Sequence, residues 1–101
     1  MARTDNLPIY KKTFDLLLEM HKLYAGFDKK YKYGLGSDCV NTIKKALLLI
    51  VRINSVKNKL NFLEELLFVF HEIQINIRLL KSLNVLKNNT YFSLSENIIG
   101  L

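Results

Sequence analysis

The sequence has little of what small proteins use to brace themselves or to do chemistry. It holds one cysteine, Cys39, in 101 residues. A lone thiol closes no intrachain disulfide, so a disulfide scaffold is excluded and a reducing, cytoplasmic location is expected. One proline, four glycines and no tryptophan are too few for a loop-rich or low-complexity chain. Long apolar runs are missing too. The longest, Ala46–Val51 and Leu66–Phe70, fall far short of the ~20 residues that span a bilayer. The opening MARTDNLPIYKKTF has no apolar segment of the secretory-signal kind. The expectation is a soluble protein with no membrane partner.

Catalytic and metal-binding patterns are absent as well. There is no CxxC pair and no His-Glu-x-x-His. Helical bundles can hold two metals with Glu-x-x-His pairs, but Leu18 stands three residues before His21 and Phe68 three before His71. His71, beside Glu72 with no second ligand in register, reads as a core or interface histidine. Cys39 falls in the first turn of a predicted helix, where the dipole can lower a thiol pKa. A catalytic cysteine also needs a placed base and an orienting group, and none is identifiable, so an inert, packed thiol is expected. Gly34 and Gly36 lack the Gly-Lys-Ser/Thr of a phosphate-binding loop and read as a tight entry into a helix. No enzyme activity, cofactor or metal is expected.

Acidic residues are scarce in one place. The net charge is +6. Residues 1–28 balance to zero, and residues 60–101 sum to −1. Residues 29–59 carry Lys29, Lys30, Lys32, Lys44, Lys45, Arg52, Lys57 and Lys59 against Asp38 alone, a net of +7. Charge concentrated in one third of the chain points to a polyanionic partner, nucleic acid ahead of membrane. The connector Lys29-Lys-Tyr-Lys-Tyr33 interleaves cations with rings, which suits phosphate contact and base stacking. It suits equally a bundle end on which Tyr31 and Tyr33 pack. Arg52, between Val51 and Ile53, either pairs with Glu64, Glu65 or Glu72 or points into the opening of an oligomer. Arg78, late in the third helix, also offsets that helix's C-terminal dipole.

What the sequence has in plenty is apolar residues at helical spacing: half the chain is apolar. A first helix is predicted from a cap at Asp5 or Asn6, with Pro8 in its first turn, to Gly26. An irregular connector, 27–36, follows. A second helix runs from a cap at Ser37 or Asp38 to about Ser55, and a third from Leu60 to about Asn84. The alternating Ile73, Ile75 and Ile77 are read as helix because strong helix formers flank them. A loop over 85–90 leads to a short fourth helix in Tyr91–Leu101, with Ser93 or Ser95 as cap and Leu94, Ile98 and Ile99 as its apolar face; it reads either as a stunted helix or as one that continues beyond residue 101. The predicted fold is a single all-α domain, residues 1–101, an up-down-up-down antiparallel four-helix bundle.

The middle helices carry more apolar surface than one core absorbs. A surface helix needs an apolar stripe a little over 100° wide. In the third helix, Leu63, Leu66, Leu67, Phe70, Ile73, Ile77 and Leu80 make such a stripe, and Phe68, Val69, Ile75 and Leu79 fall outside it. In the second, Val40, Ile43, Leu47 and Ile50 make the stripe, and Leu48, Leu49, Val51 and Ile53 spread beyond it. These eight outer residues are the candidate oligomer interface, because large exposed apolar patches are unusual on a monomer. A ring of identical subunits is one way to cover them.

Several segments together carry a family likeness. Leu7-Pro-Ile-Tyr-Lys11, Tyr31-Lys-Tyr-Gly-Leu-Gly36 and Ile50-Val-Arg-Ile-Asn54 resemble a family of small four-helix-bundle proteins. It includes proteins encoded in ribosomal RNA intervening sequences and the accessory variability determinant of diversity-generating retroelements. The resemblance implies a pentameric, barrel-like ring with a basic surface. It also implies binding of RNA or DNA and of a reverse transcriptase, with Lys11, Lys32, Arg52 and Arg78 at matching basic positions. The short fourth helix departs from members in which it is full length. The function expected is therefore a non-catalytic nucleic-acid-binding accessory of a retroelement reverse transcriptase. The alternative is a protein-interaction scaffold with no such partner.

Overall fold

The computed structural model describes the backbone of residues 4–99. The chain enters through a 3₁₀ turn, Thr4–Asn6, and the Thr4 carbonyl accepts the Leu7 N–H at 3.0 Å. Helix α1 spans Pro8–Tyr24. Proline suits this first turn because its missing N–H would have had no acceptor within the helix. The cap differs from expectation. Leu7, in extended conformation, holds the N-cap with no side-chain bond, because Asp5 and Asn6 are drawn into the 3₁₀ turn.

The connector is helical, not irregular. One turn, Lys29–Tyr31, leads into a π-helical turn, Lys32–Gly36, which runs without a break into α2, Ser37–Ser55. Gly36 makes this possible. A Cβ there would lie 2.8 Å from Cδ2 of Phe27 and 3.0 Å from the Tyr31 carbonyl oxygen, whereas one at Gly34 would meet nothing within 4 Å. The Ser37 N–H donates to carbonyls of the π turn, so neither Ser37 nor Asp38 is needed as a cap.

Helix α3, Leu60–Ser82, ends at a left-handed residue. Asn84 has φ 60°, its N–H donates to Lys81 O at 3.0 Å, and the Val85 N–H reaches back to Leu80 O at 2.9 Å. This paired arrangement satisfies the last carbonyls of a helix. Helix α4 spans Asn88–Ile99 and starts three residues before the expected Tyr91. Ser93 is therefore an interior residue and not a cap, and its hydroxyl lies 3.5 Å from a carboxylate oxygen of Glu19. The side chains of Ser95, Ile98 and Ile99, and residues 100–101, lie outside the described part.

Each helix packs on two neighbours: α2 on α1 and α3, and α4 on α3 and α1. The result is an all-helical bundle of 42 × 20 × 20 Å, with no strand among the described residues. One stripe from each helix meets in the core: Leu16 and Met20, Ile43 and Ala46, Ile73, Ile77 and Leu80, and Leu94. Two expectations about these stripes are corrected. Leu49 and Val69, assigned to outer faces, are core residues, whereas Leu63 and Leu67, assigned to the core, are 43% and 62% exposed. Helix α3 is apolar on so many sides that its period alone does not select the inner face. Packing against α2 selects the line Leu66, Val69, Ile73, Ile77, Leu80.

The left-handed end of α3 gives the first prediction. Asn84→Ala should destabilise the protein by about 1 kcal/mol, and Asn84→Gly should leave it unchanged or more stable. Urea denaturation of the three proteins checks both signs.

Candidate nucleic-acid interface and assembly surface

The cations do not gather at one point. Lys29, Lys30 and Lys32 sit in the connector at one end of the bundle, and Lys57 and Lys59 sit in the turn between α2 and α3. Between these two sites run the 19 residues of α2, about 28 Å of helix. Lys44, Lys45 and Arg52 are exposed along α2, Lys11 is exposed on α1 and Arg78 on α3. The +7 segment is thus a stripe along one helix with a cluster at each end.

Local rings hold three of these cations. Lys30 Nζ lies 5.1 Å from the Tyr31 ring centre, and Lys32 Nζ lies 5.4 Å from that of Tyr24. The Arg52 guanidinium lies 5.6 Å from the Phe62 ring centre. A cation at such a distance is attracted by the negative face of the ring and still presents its N–H donors to solvent. Tyr31 is half-buried and Tyr33 is 70% exposed. Of the two connector rings, only Tyr33 is largely free for a base to stack on.

Helix α2 mixes these cations with apolar residues. Lys45, Leu48 and Arg52 border a groove of about 530 Å³ whose far wall is Phe62 and Glu65 of α3. Leu48 is 65% exposed and Val51 42%, and on α3 Phe68 is 78%, Ile75 59% and Leu79 44% exposed. These five of the eight expected interface residues lie on the surface. Leu49 and Val69 are buried, and Ile53 is half-buried against the core. The seam between α2 and α3 is tied by a small polar cluster. The Thr42 hydroxyl lies 2.6 Å from the Asp38 carbonyl and 3.2 Å from Oε2 of Glu72, and it accepts from Nδ2 of Asn76 at 3.5 Å. A hydroxyl has a single proton to donate, so the backbone carbonyl and the carboxylate compete for it.

Two apolar surfaces went unrecognised in the sequence. On α1, Phe14 and Leu18 are 41% and 46% exposed, and the Phe14 ring stacks on Tyr10 with centres 6.2 Å apart. Their i, i+4 spacing was visible, but it merges with the core stripe of the same helix. The second surface is a groove of about 480 Å³ between α1 and α3, floored by Ile9, Leu66 and Phe70 and edged by Leu67, His71 and Gln74. Its signal was hidden, because Leu63, Leu67 and Phe70 fall in the same apolar stripe as the core residues of that helix. His71 belongs to this exposed edge and not to the core.

Among the described residues, no group of three His, Cys, Asp or Glu side chains is placed to hold a metal ion. No helix there is long and apolar enough to cross a membrane. Cys39 is 2% exposed. Burial, with a smaller contribution from neighbouring Asp38, pushes its thiol up to about 12. Desolvation of the thiolate outweighs any helix-dipole effect here. No family model matches the chain, and no curated protein matches it.

Cys39 should therefore resist iodoacetamide at pH 8 in the native state and react once denaturant is added. Mass spectrometry before and after unfolding reads this directly. Rapid native alkylation would contradict both the burial and the raised pKa.

Proposed function

We propose that this protein is a non-catalytic, oligomeric nucleic-acid-binding accessory of a retroelement reverse transcriptase, in the manner of the accessory variability determinant its motifs resemble. The observation that carries the reading is the outer face of α2. Lys44, Lys45 and Arg52 are exposed on the same helix as exposed Leu48 and Val51, so association through the apolar residues would repeat the cations around the assembly. Repeated like charge opposes association, and a polyanion offsets that repulsion while releasing its own counterions. Phe68, Ile75 and Leu79 on α3 supply further contact surface, and a five-membered ring is the arrangement the resemblance implies. Lys11, Lys32 and Arg78 supply further phosphate contacts on this reading. The cytoplasm, where a retroelement transcript is copied, is the proposed location.

A second reading is supported by the dispersal of the cations to both ends of the bundle. On it, the protein is an interaction scaffold of the intervening-sequence kind, its charge serves solubility and its apolar faces serve partners. Salt dependence separates the two. On the first reading, structured RNA and single-stranded DNA bind at low salt, and the affinity falls linearly on a log–log plot against salt. Lys45→Ala should flatten that slope by about 1 for each protomer engaged, with little change between sequences. Filter binding with no retention at low salt would leave only the scaffold.

A further inference from the structure

Two stretches of chain that are remote in sequence meet at one end of the bundle. Gly26, Phe27, Asp28, Lys30 and Tyr31, between α1 and α2, face Leu83, Asn84 and Val85 after α3 across a hollow of about 310 Å³. The fold thereby sets Lys22 from the last turn of α1, Lys81 from the last turn of α3 and Lys87 from the α3–α4 loop at the same end as Lys29, Lys30 and Lys32. Lys22, Lys81 and Lys87 lie outside the 29–59 segment, so the charge bias of that segment does not show them. The six lysines at this end stand against two acids, Asp28 and Asp38. None of the six is held in an ion pair among the described residues.

The same end carries an exposed ring. Tyr33 is 70% exposed, and among the described residues it stacks on no other ring and lies under no cation. Lys29 precedes it by one helical turn. The other rings with more than half of their surface exposed are Phe68, at 78%, and Phe92, at 62%. Each has a carboxylate one turn along its helix: Glu64 and Glu72 flank Phe68, and Glu96 follows Phe92. Residues four apart share a helix face, so a phosphate chain that passes either phenylalanine meets negative charge. At Tyr33 it meets lysine. A duplex keeps its base faces in its own stack and offers phosphates and groove edges, whereas an unpaired base has a face free for a ring.

On the nucleic-acid reading above, we infer that the connector end of the bundle is a platform for single-stranded nucleic acid. Lys22, Lys29, Lys30, Lys32, Lys81 and Lys87 meet phosphates there, and Tyr33 stacks on an unpaired base. The base face and the phosphate are common to RNA and DNA, so single strands of both kinds bind. Stacking releases no counterions, so the ring adds affinity without adding to the salt slope, and the lysines add to both.

Fluorescence anisotropy with the full chain tests this, using three labelled ligands of about 20 nucleotides or base pairs, longer than one site: oligouridine RNA, oligothymidine DNA and a DNA duplex. The wild-type chain should bind both single strands more tightly than the duplex. Tyr33→Ala should weaken single-strand binding about fivefold or more and leave duplex binding unchanged, and Tyr33→Phe, which keeps a ring, should bind as the wild type does. Lys87→Ala should flatten the single-strand salt slope by about 0.7 for each protomer engaged. Circular dichroism confirms that the variants remain folded. A fall on Tyr33→Ala with only one of the two single strands assigns the platform to that strand. Unchanged single-strand affinity in Tyr33→Ala, or an equal fall for the duplex, overturns the platform and leaves the nucleic-acid reading standing. A changed assembly mass in Tyr33→Ala by light scattering assigns the ring to a subunit contact and also overturns the platform. No binding of any of the three ligands by the wild type overturns the nucleic-acid reading itself.

Discussion

The packing of α2 between α1 and α3 sets the core of this protein, and α4 packs on α3 and α1. The described helices have 17, 19, 23 and 12 residues in chain order. Where four helices are present, Leu94, Ile73, Ile77 and Leu80 are removed from solvent almost completely. Nearer the start of α3, Leu63 and Leu67 are 43% and 62% exposed although Leu66 between them is buried. The surplus apolar character of α3 follows from its position. It packs on α2 on one side and on α4 on the other, and its remaining faces carry Leu60, Phe68, Ile75, Leu79 and Leu83 to the surface. Fully burying an exposed side chain of this kind is worth roughly 1.5–3 kcal/mol, and these residues, 44–78% exposed, retain a corresponding part of that gain.

Much of the fold was legible because helical period is a strong signal in long segments. The all-helical class, the second helix to Ser55 and the proline entry of α1 followed from spacing and end signals. The capping residues Asp5, Asn6 and Ser37 were recognised by type, but Asp5 and Asn6 lie within a 3₁₀ turn, and the π turn supplies carbonyls at the start of α2. The connector looked irregular because it holds two glycines. Gly36 is instead the residue that lets Phe27 press against a helical turn.

The candidate site was legible by residue and less so by place. The charge bias of residues 29–59 is visible in the sequence, but its distribution is a property of the fold. The segment contains a connector at one end of the bundle, a whole helix and a turn at the other end. That geometry spreads cations along about 28 Å of helix axis. Outer faces were harder to assign. Leu49 and Val69 turned inward because a nearly uniform apolar helix presents several stripes of similar quality, and the neighbouring helix decides among them.

The central claim is that the exposed residues of α2 and α3 join copies of this chain. Light scattering coupled to size exclusion, run over a range of micromolar concentrations, tests it most directly. The account predicts a discrete assembly larger than a dimer for the wild-type chain and dissociation on Phe68→Glu with helicity retained. A monomeric mass at every concentration, or an assembly that Phe68→Glu leaves intact, would contradict it.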